Sequence, residues 1–167
     1  MIFAHNAATG AASCQLAASE RLVGLGFRYW LKGFRTGDIS CWEKAWCAYA
    51  NVLGAATAKG VVTDLSCWVR AINRHAQRDL ETSAVDCDRF CRDECIAIEM
   101  ISACQHDACP AMRACAFALL GCSMIEEVVR GAENFAATMR GADQVLPRSS
   151  SPGSTLLDMQ PASPLKQ

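Results

Sequence analysis

The chain lacks the short motifs that mark the common enzyme classes. It has no glycine-rich phosphate loop, no Gly-x-Ser-x-Gly nucleophile elbow and no His-Glu-x-x-His zinc motif. It also has no Glu-x-x-His pair of the kind that holds di-iron centres in helical bundles, and no Cys-x-x-Cys redox pair. These absences favour a protein without catalytic activity.

Strong charge and long apolar runs are also missing. The 16 Lys and Arg residues against 17 Asp and Glu residues give a net charge of -1, so nucleic-acid binding is not expected. The longest weakly polar stretch, residues 109–129, falls short of the roughly 20 apolar residues of a membrane span, because it contains Pro110, Arg113, Glu126 and Glu127. The N-terminus lacks the basic and apolar regions of a secretory signal. We therefore expect a soluble, cytoplasmic protein without a membrane partner.

The apolar residues that make up 51% of the chain predict an all-α fold. They recur at spacings of three, four and seven, and no β-type alternation or long internal repeat is found. The sequence predicts a flexible N-terminus over residues 1–10 and a bundle of four to six helices over residues 11–145. A disordered C-terminal tail, rich in Pro and Ser, is predicted over residues 146–167.

The first helix is expected to end at Phe34 and to begin near Ala11, at Ser19, or only after Gly26. If Gly24, Gly26 and Gly33 lie within it, a neighbouring element is expected to approach closely. The other predicted helices cover residues 40–53, with a Ser40/Glu43 capping box, then 63–77 or from 55, 86–106 and 110–129, with 132–139 as a continuation or a sixth helix. A basic stripe on the first helix is expected to be solvated or to bind an acidic partner, and consists of Arg21, Arg28, Lys32 and Arg35.

Eleven cysteines are an odd number, and without an export signal they do not indicate a disulfide framework. Free cysteine is also a small residue that is often buried, so most of the eleven are expected to be packing residues. Cys41, in the first turn of its helix, is a weak candidate for a reactive thiol, because the helix dipole would lower its pKa.

The most specific pattern lies in the predicted fourth helix, where Cys87, Cys91 and Cys95 recur every four residues. On a helix this spacing forms a ladder along one side, with Glu94 on the same inward face. A buried carboxylate must be paired or must bind a metal. Glu94 is therefore either paired with an arginine of another helix (Arg28, Arg35 or Arg70) or acts with the three thiols as a base or a metal ligand.

The metal that suits a helical Cys-x-x-x-Cys pair is Cu(I), which two thiolates can bind in near-linear geometry. Zinc, which is tetrahedral, is the second possibility. Other helices could add Cys41, Cys104, Cys115 and Cys122. Near the end of the fourth helix, Cys104, His106, Asp107 and Cys109 form a second candidate cluster, although His106 there can simply complement the helix dipole.

The spacing from Cys87 to Cys95 resembles that of the copper storage proteins, four-helix bundles that line their interior with cysteines four residues apart. This resemblance implies copper binding by the ladder. The chain departs from that family because its other helices lack such pairs and because large aromatic residues would fill the core, namely Trp30, Trp42, Trp46 and Trp68.

The run from Phe27 to Glu43, followed by Cys91-Arg-Asp-Glu-Cys95, resembles small helical proteins of alphaproteobacteria that have no assigned activity. The resemblance implies a bacterial cytoplasmic protein and supplies no chemistry.

Three functional hypotheses follow. The first is an accessory or interaction protein, with a protein partner or a second copy of the chain. The second is a copper- or zinc-binding protein that uses Cys87, Cys91, Cys95 and Glu94. The third is a thiol-dependent redox protein.

Overall fold

A computed structural model describes residues 15–148, which contain helices and no strand, as predicted. The predictions for residues 1–10 and for most of the C-terminal tail concern residues outside this part of the chain. The helices are α1 (Ala18–Thr36), α2 (Ile39–Leu53), α3 (Ala55–His75), α4 (Arg92–Gln105), α5 (Cys109–Leu120) and α6 (Glu126–Gly141).

Helix α1 runs through its glycines and does not begin after them. Glu20 accepts a hydrogen bond of 2.7 Å from the Ala17 backbone N–H, which caps the helix at its start. At Gly26, a Cβ atom would lie 2.6 Å from the Tyr49 hydroxyl oxygen of α2. That hydroxyl donates a hydrogen bond of 3.0 Å to the Leu22 carbonyl. The expected close approach is therefore confirmed, and α2 lies against Gly26 and Gly33 of α1.

Helix α2 begins earlier than predicted, and the predicted Ser40/Glu43 capping box is wrong. The N-cap is Asp38, whose carboxylate accepts a hydrogen bond of 2.9 Å from the Ser40 backbone N–H. Gly54, at φ 78°, then joins α2 directly to α3, which begins at Ala55. The earlier of the two predicted starts for this helix is therefore confirmed.

The second half of the chain differs most from the prediction. Helix α4 begins at Arg92 and not near residue 86, which leaves residues 76–91 without a helix or strand. Helix α5 ends at Leu120 because Gly121 adopts the left-handed conformation, with φ 65°. The predicted extension to residue 129 is therefore wrong, and residues 132–139 belong to a separate helix, α6.

In the core, α3 packs against both α1 and α6. Phe27 and Trp68 pack with their ring centroids 6.0 Å apart, and Trp68 stacks on Phe135 at 5.5 Å. All three side chains are fully buried. Helix α4 packs against α1, α5 and α6, whereas α2 contacts only α1 and α3 among the described helices and so forms an edge of the bundle.

The first residues of the predicted tail still belong to the bundle. Leu146 is buried and its backbone N–H donates a hydrogen bond of 2.7 Å to the Gln105 side chain. The Ser102 hydroxyl donates one of 2.6 Å to the Pro147 carbonyl. Between residues 15 and 148, no helix combines the length and the apolar character that crossing a membrane requires.

Candidate functional site

The longest irregular part of the described chain, residues 76–91, is held in place by the basic stripe of α1. Arg28 donates hydrogen bonds of 2.7 Å to the carbonyls of Cys87 and Arg89. Arg35 donates one of 2.6 Å to the Leu80 carbonyl, and Arg21 lies over the Phe90 ring. The expectation that this stripe is a solvated face is therefore wrong for Arg28, which is fully buried, whereas Arg21 and Arg35 are exposed and still donate to backbone carbonyls that no helix or sheet pairs.

Arg28 and Glu94 form the centre of this region, which we call the clamp. Arg28 Nε lies 2.7 Å from Glu94 Oε1 and Nη2 lies 3.1 Å from Oε2, so the pair is bidentate. Both residues are 0% exposed. The structure therefore confirms the interpretation of Glu94 as a buried carboxylate paired with an arginine of another helix, and identifies that arginine as Arg28.

The remaining hydrogen-bonding capacity of Glu94 is also used. Ser83 donates to both carboxylate oxygens at 3.0 Å, from its backbone N–H and from its hydroxyl. The Cys91 backbone N–H donates to Oε2 at 2.9 Å, which caps α4. Burial alone would raise the pKa of Glu94, but the hydrogen bonds and charge of Arg28 and the Cys91 N–H outweigh it and hold that pKa below its usual range. A metal ion at Glu94 would have to displace at least one of these donors.

A second ion pair lies next to the clamp. Arg78 pairs with Asp93, with Nη1 at 3.1 Å from Oδ2, and donates from Nε to the Ala118 carbonyl at 2.8 Å. The Glu81 backbone N–H donates to Asp93 at 2.7 Å. The carboxylates of Asp93 and Glu94 are thus neighbours at the start of α4, where the helix dipole favours negative charge. Together they hold both ends of residues 76–91 in place.

The predicted cysteine ladder is not a helical ladder. Cys87 lies in the irregular segment, Cys91 is the N-cap of α4, and Cys95 lies in the first turns of α4, where it is exposed. The Cys91 thiol lies 3.2 Å from the Glu81 carbonyl and donates to it. Within residues 15–148, no three His, Cys, Asp or Glu side chains are grouped so that they could hold one metal ion. A metal site at Cys87, Cys91, Cys95 and Glu94 stays a prediction.

The thiols nominated for reactivity are stabilised in the protonated form. Burial raises the pKa of Cys41, and the neighbouring Asp38 carboxylate adds to the effect. Burial likewise raises the pKa of Cys91 and of Cys95. The dipole effect expected for Cys41 is therefore outweighed by burial and by Asp38, and burial favours the protonated form of all three thiols.

The second candidate cluster lies at the turn between α4 and α5. Cys104 and Cys109 line one cavity of about 290 Å³ together with Asp107. His106 points elsewhere, since its Nε2 lies 2.8 Å from the Leu146 carbonyl. Sequence reasoning missed Met112, a further sulfur-bearing side chain of the same cavity. Its position three residues after Cys109, within one helix, was the available signal.

Sequence reasoning also missed an apolar surface at the edge of the bundle, residues 45–58, which we call the α2–α3 corner. The feature of the sequence that indicates this surface is a lack of charged residues, since the run from Ala45 to Ala58 contains no Asp, Glu, Lys, Arg or His. Trp46 is 38% exposed and Val52 is 57% exposed, and the stretch from Gly54 to Thr57 is exposed throughout. The corner therefore presents mainly apolar and small side chains to solvent, with the exposed Cys47 and Asn51 among them and no Asp, Glu, Lys, Arg or His.

Comparison with known proteins adds no family to these observations. No protein-family model, curated protein or solved structure matches the chain.

Proposed function

We propose that this chain is an interaction protein whose contact surface is the α2–α3 corner, and that its partner there is a second copy of the same chain. The observation that carries the proposal is the run of residues 45–58, which contains no Asp, Glu, Lys, Arg or His and which exposes Trp46, Val52 and residues 54–57. Surfaces of monomeric domains usually intersperse charges of both signs, whereas the centres of interfaces are depleted of them.

The position of α2 in the bundle supports this choice of surface. Helix α2 is covered by α1 and α3 on one side, through Cys41, Ala45 and Tyr49. Its other side carries Trp46 and Val52 into solvent. An apolar side of a helix that residues 15–148 leave exposed is suited to burial against another molecule.

The absence of charge favours a second copy over a partner of opposite charge. In a two-fold contact the same patch lies on both subunits, so any charge near the axis would face its own copy and repel it. The corner has no such charge to oppose. Trp46 is suited to be its anchor, because tryptophan is enriched among the residues that dominate binding energy. The small residues Gly54, Ala55 and Ala56 allow a close approach beside it.

The thiol-redox alternative has less support, because the pKa values of Cys41, Cys91 and Cys95 are raised. The proposal of self-association accounts for the corner without requiring a reactive thiol.

Sedimentation velocity over a range of protein concentrations tests the proposal. We expect the full chain to be dimeric at about 50 µM and expect Trp46→Glu to raise the dissociation constant at least about 100-fold. The matched control is Phe117→Glu, which places the same charge on an aromatic residue of α5 that is 56% exposed. That variant should dimerise normally. A wild-type monomer at every concentration, or equal effects of the two variants, would contradict the proposal.

A further inference from the structure

The turn between α4 and α5 brings sulfur-bearing side chains together. Helix α4 ends at Gln105 and α5 begins at Cys109, so only three residues connect them. The Ala108 backbone N–H donates to the Ala103 carbonyl at 2.9 Å, and Asp107 adopts a positive φ of 56°. This tight connection sets Cys104, in the last turn of α4, near Cys109, the first residue of α5.

Cys104, Cys109 and Met112 line the same cavity of about 290 Å³, which we call the sulfur cavity. Cys104 is half-buried and Met112 is buried, whereas Cys109 is exposed. Cys109 is thus the most exposed of the three sulfur-bearing side chains that line the cavity. Glu133 and Arg140 of α6 complete the wall opposite.

The donor set determines which ligand the cavity suits. Thiolate and thioether sulfurs are soft ligands and select Cu(I), whereas Mg²⁺ and Ca²⁺ require several oxygen ligands. A structural zinc site needs four ligands from Cys, His and carboxylates. Within residues 15–148, no three such side chains are grouped so that they could hold one metal ion, and the third sulfur-bearing side chain of this cavity is a methionine, which zinc sites do not use.

We propose that the sulfur cavity binds one Cu(I) ion through the thiolates of Cys104 and Cys109 and the thioether of Met112. Binding releases the two thiol protons to solvent and leaves the oxidation state of the metal unchanged. The site is distinct from the α2–α3 corner, and its occupancy does not depend on self-association. It also differs in every residue from the predicted site at Cys87, Cys91, Cys95 and Glu94.

Transfer of copper from a chromogenic chelator tests the assignment. The reduced full chain is titrated without air against Cu(I) bicinchoninate in excess, which keeps the metal from weakly binding isolated thiols. We expect the wild type to take up one equivalent. Cys104→Ser combined with Cys109→Ser should lose that equivalent, with affinity reduced at least about 100-fold, and Met112→Leu should weaken binding about 10-fold.

The matched control is Cys91→Ser combined with Cys95→Ser, which removes two thiols of the predicted ladder and should keep full copper uptake. Circular dichroism of each variant verifies that the fold is retained. The proposal is overturned if the wild type takes up no copper, or if the Cys104/Cys109 double variant still takes up one equivalent. It is equally overturned if the Cys91/Cys95 double variant is the one that loses the metal.

Discussion

The clamp and the α2–α3 corner differ in their exposure to water. In the clamp, Arg28 and Glu94 are withdrawn from water completely, and each remaining hydrogen-bonding group of Glu94 finds a partner. In the corner, Trp46 and Val52 are exposed to water, and no Asp, Glu, Lys, Arg or His lies among residues 45–58. Folding of a single chain explains why the clamp is buried, but it does not explain why apolar side chains are exposed in the corner. We therefore expect the clamp to contribute stability, and we propose the corner as the surface for association.

The largest effect is expected from breaking the clamp with Arg28→Met. This change leaves Glu94 buried without its cation, and removal of one partner of a buried pair costs about 3–5 kcal/mol of stability. Urea unfolding followed by circular dichroism measures the loss. Arg113→Met, which removes the exposed ion pair with Glu126, is the control and should leave the midpoint unchanged. A clamp variant as stable as this control would mean that water compensates the pair.

Lowering the pH should weaken the same ion pair, because it protonates Glu94, the partner of Arg28. The folded-state pKa of Glu94 lies below its value in the unfolded chain, so its stabilising contribution is present above the unfolded pKa and disappears as pH falls through the folded one. In Arg28→Met, protonation instead relieves an unpaired buried carboxylate. The difference in unfolding free energy between wild type and this variant should therefore shrink from about pH 7 to about pH 4. A constant difference in urea titrations at several pH values would contradict this account.

Smaller effects on stability, of opposite sign to each other, are expected when two glycines are replaced by alanine. At Gly24, a Cβ atom would lie 2.6 Å from the Phe90 ring, which packs under the clamp. Gly24→Ala should therefore destabilise the protein by about 1–3 kcal/mol. At Gly60, inside α3 beyond the corner, a Cβ atom would meet nothing within 4 Å. Gly60→Ala should stabilise the protein by about 0.5–1 kcal/mol, because alanine favours a helix over glycine. Thermal melts of the two variants that shift in the same direction would contradict the difference between the regions.

The smallest effect on folding is expected in the corner itself. Val52 is 57% exposed, so Val52→Glu should change the unfolding free energy of the dilute monomer by less than about 0.5 kcal/mol. The same substitution should weaken self-association about 10-fold, since it buries a charge in the proposed interface. Urea unfolding at low concentration and sedimentation at high concentration separate the two. A large loss of stability would show that Val52 belongs to the core.

Local patterns in the sequence were sufficient to predict an all-α fold and an arginine partner for Glu94, with Arg28 as one of three candidates. The spacing of apolar residues predicts helices whatever their order, and a carboxylate on an inward face requires a cation. The start of α4 was predicted wrongly because its cause is tertiary. Arg28 takes the carbonyls of Cys87 and Arg89, some 60 residues away, which a helix through that segment would have used itself. The same contact removes Cys87 from the predicted ladder.

The basic stripe of α1 was misjudged for a related reason. Its spacing is the same whether its arginines face solvent or the carbonyls of an irregular segment, and only the packing of residues 76–91 against α1 decides between them. The corner could have been found from its lack of charge, since that property needs no tertiary information. Its exposure could not, because it depends on α2 lying at the edge of the bundle.

Hydrogen–deuterium exchange of the full chain at two protein concentrations, about 1 µM and about 100 µM, tests the division between clamp and corner most directly. The account predicts that peptides covering residues 45–58 exchange more slowly at the higher concentration, while those covering residues 76–94 exchange at the same rate at both. Equal exchange of residues 45–58 at the two concentrations, or slowing that is confined to residues 76–94, would contradict it.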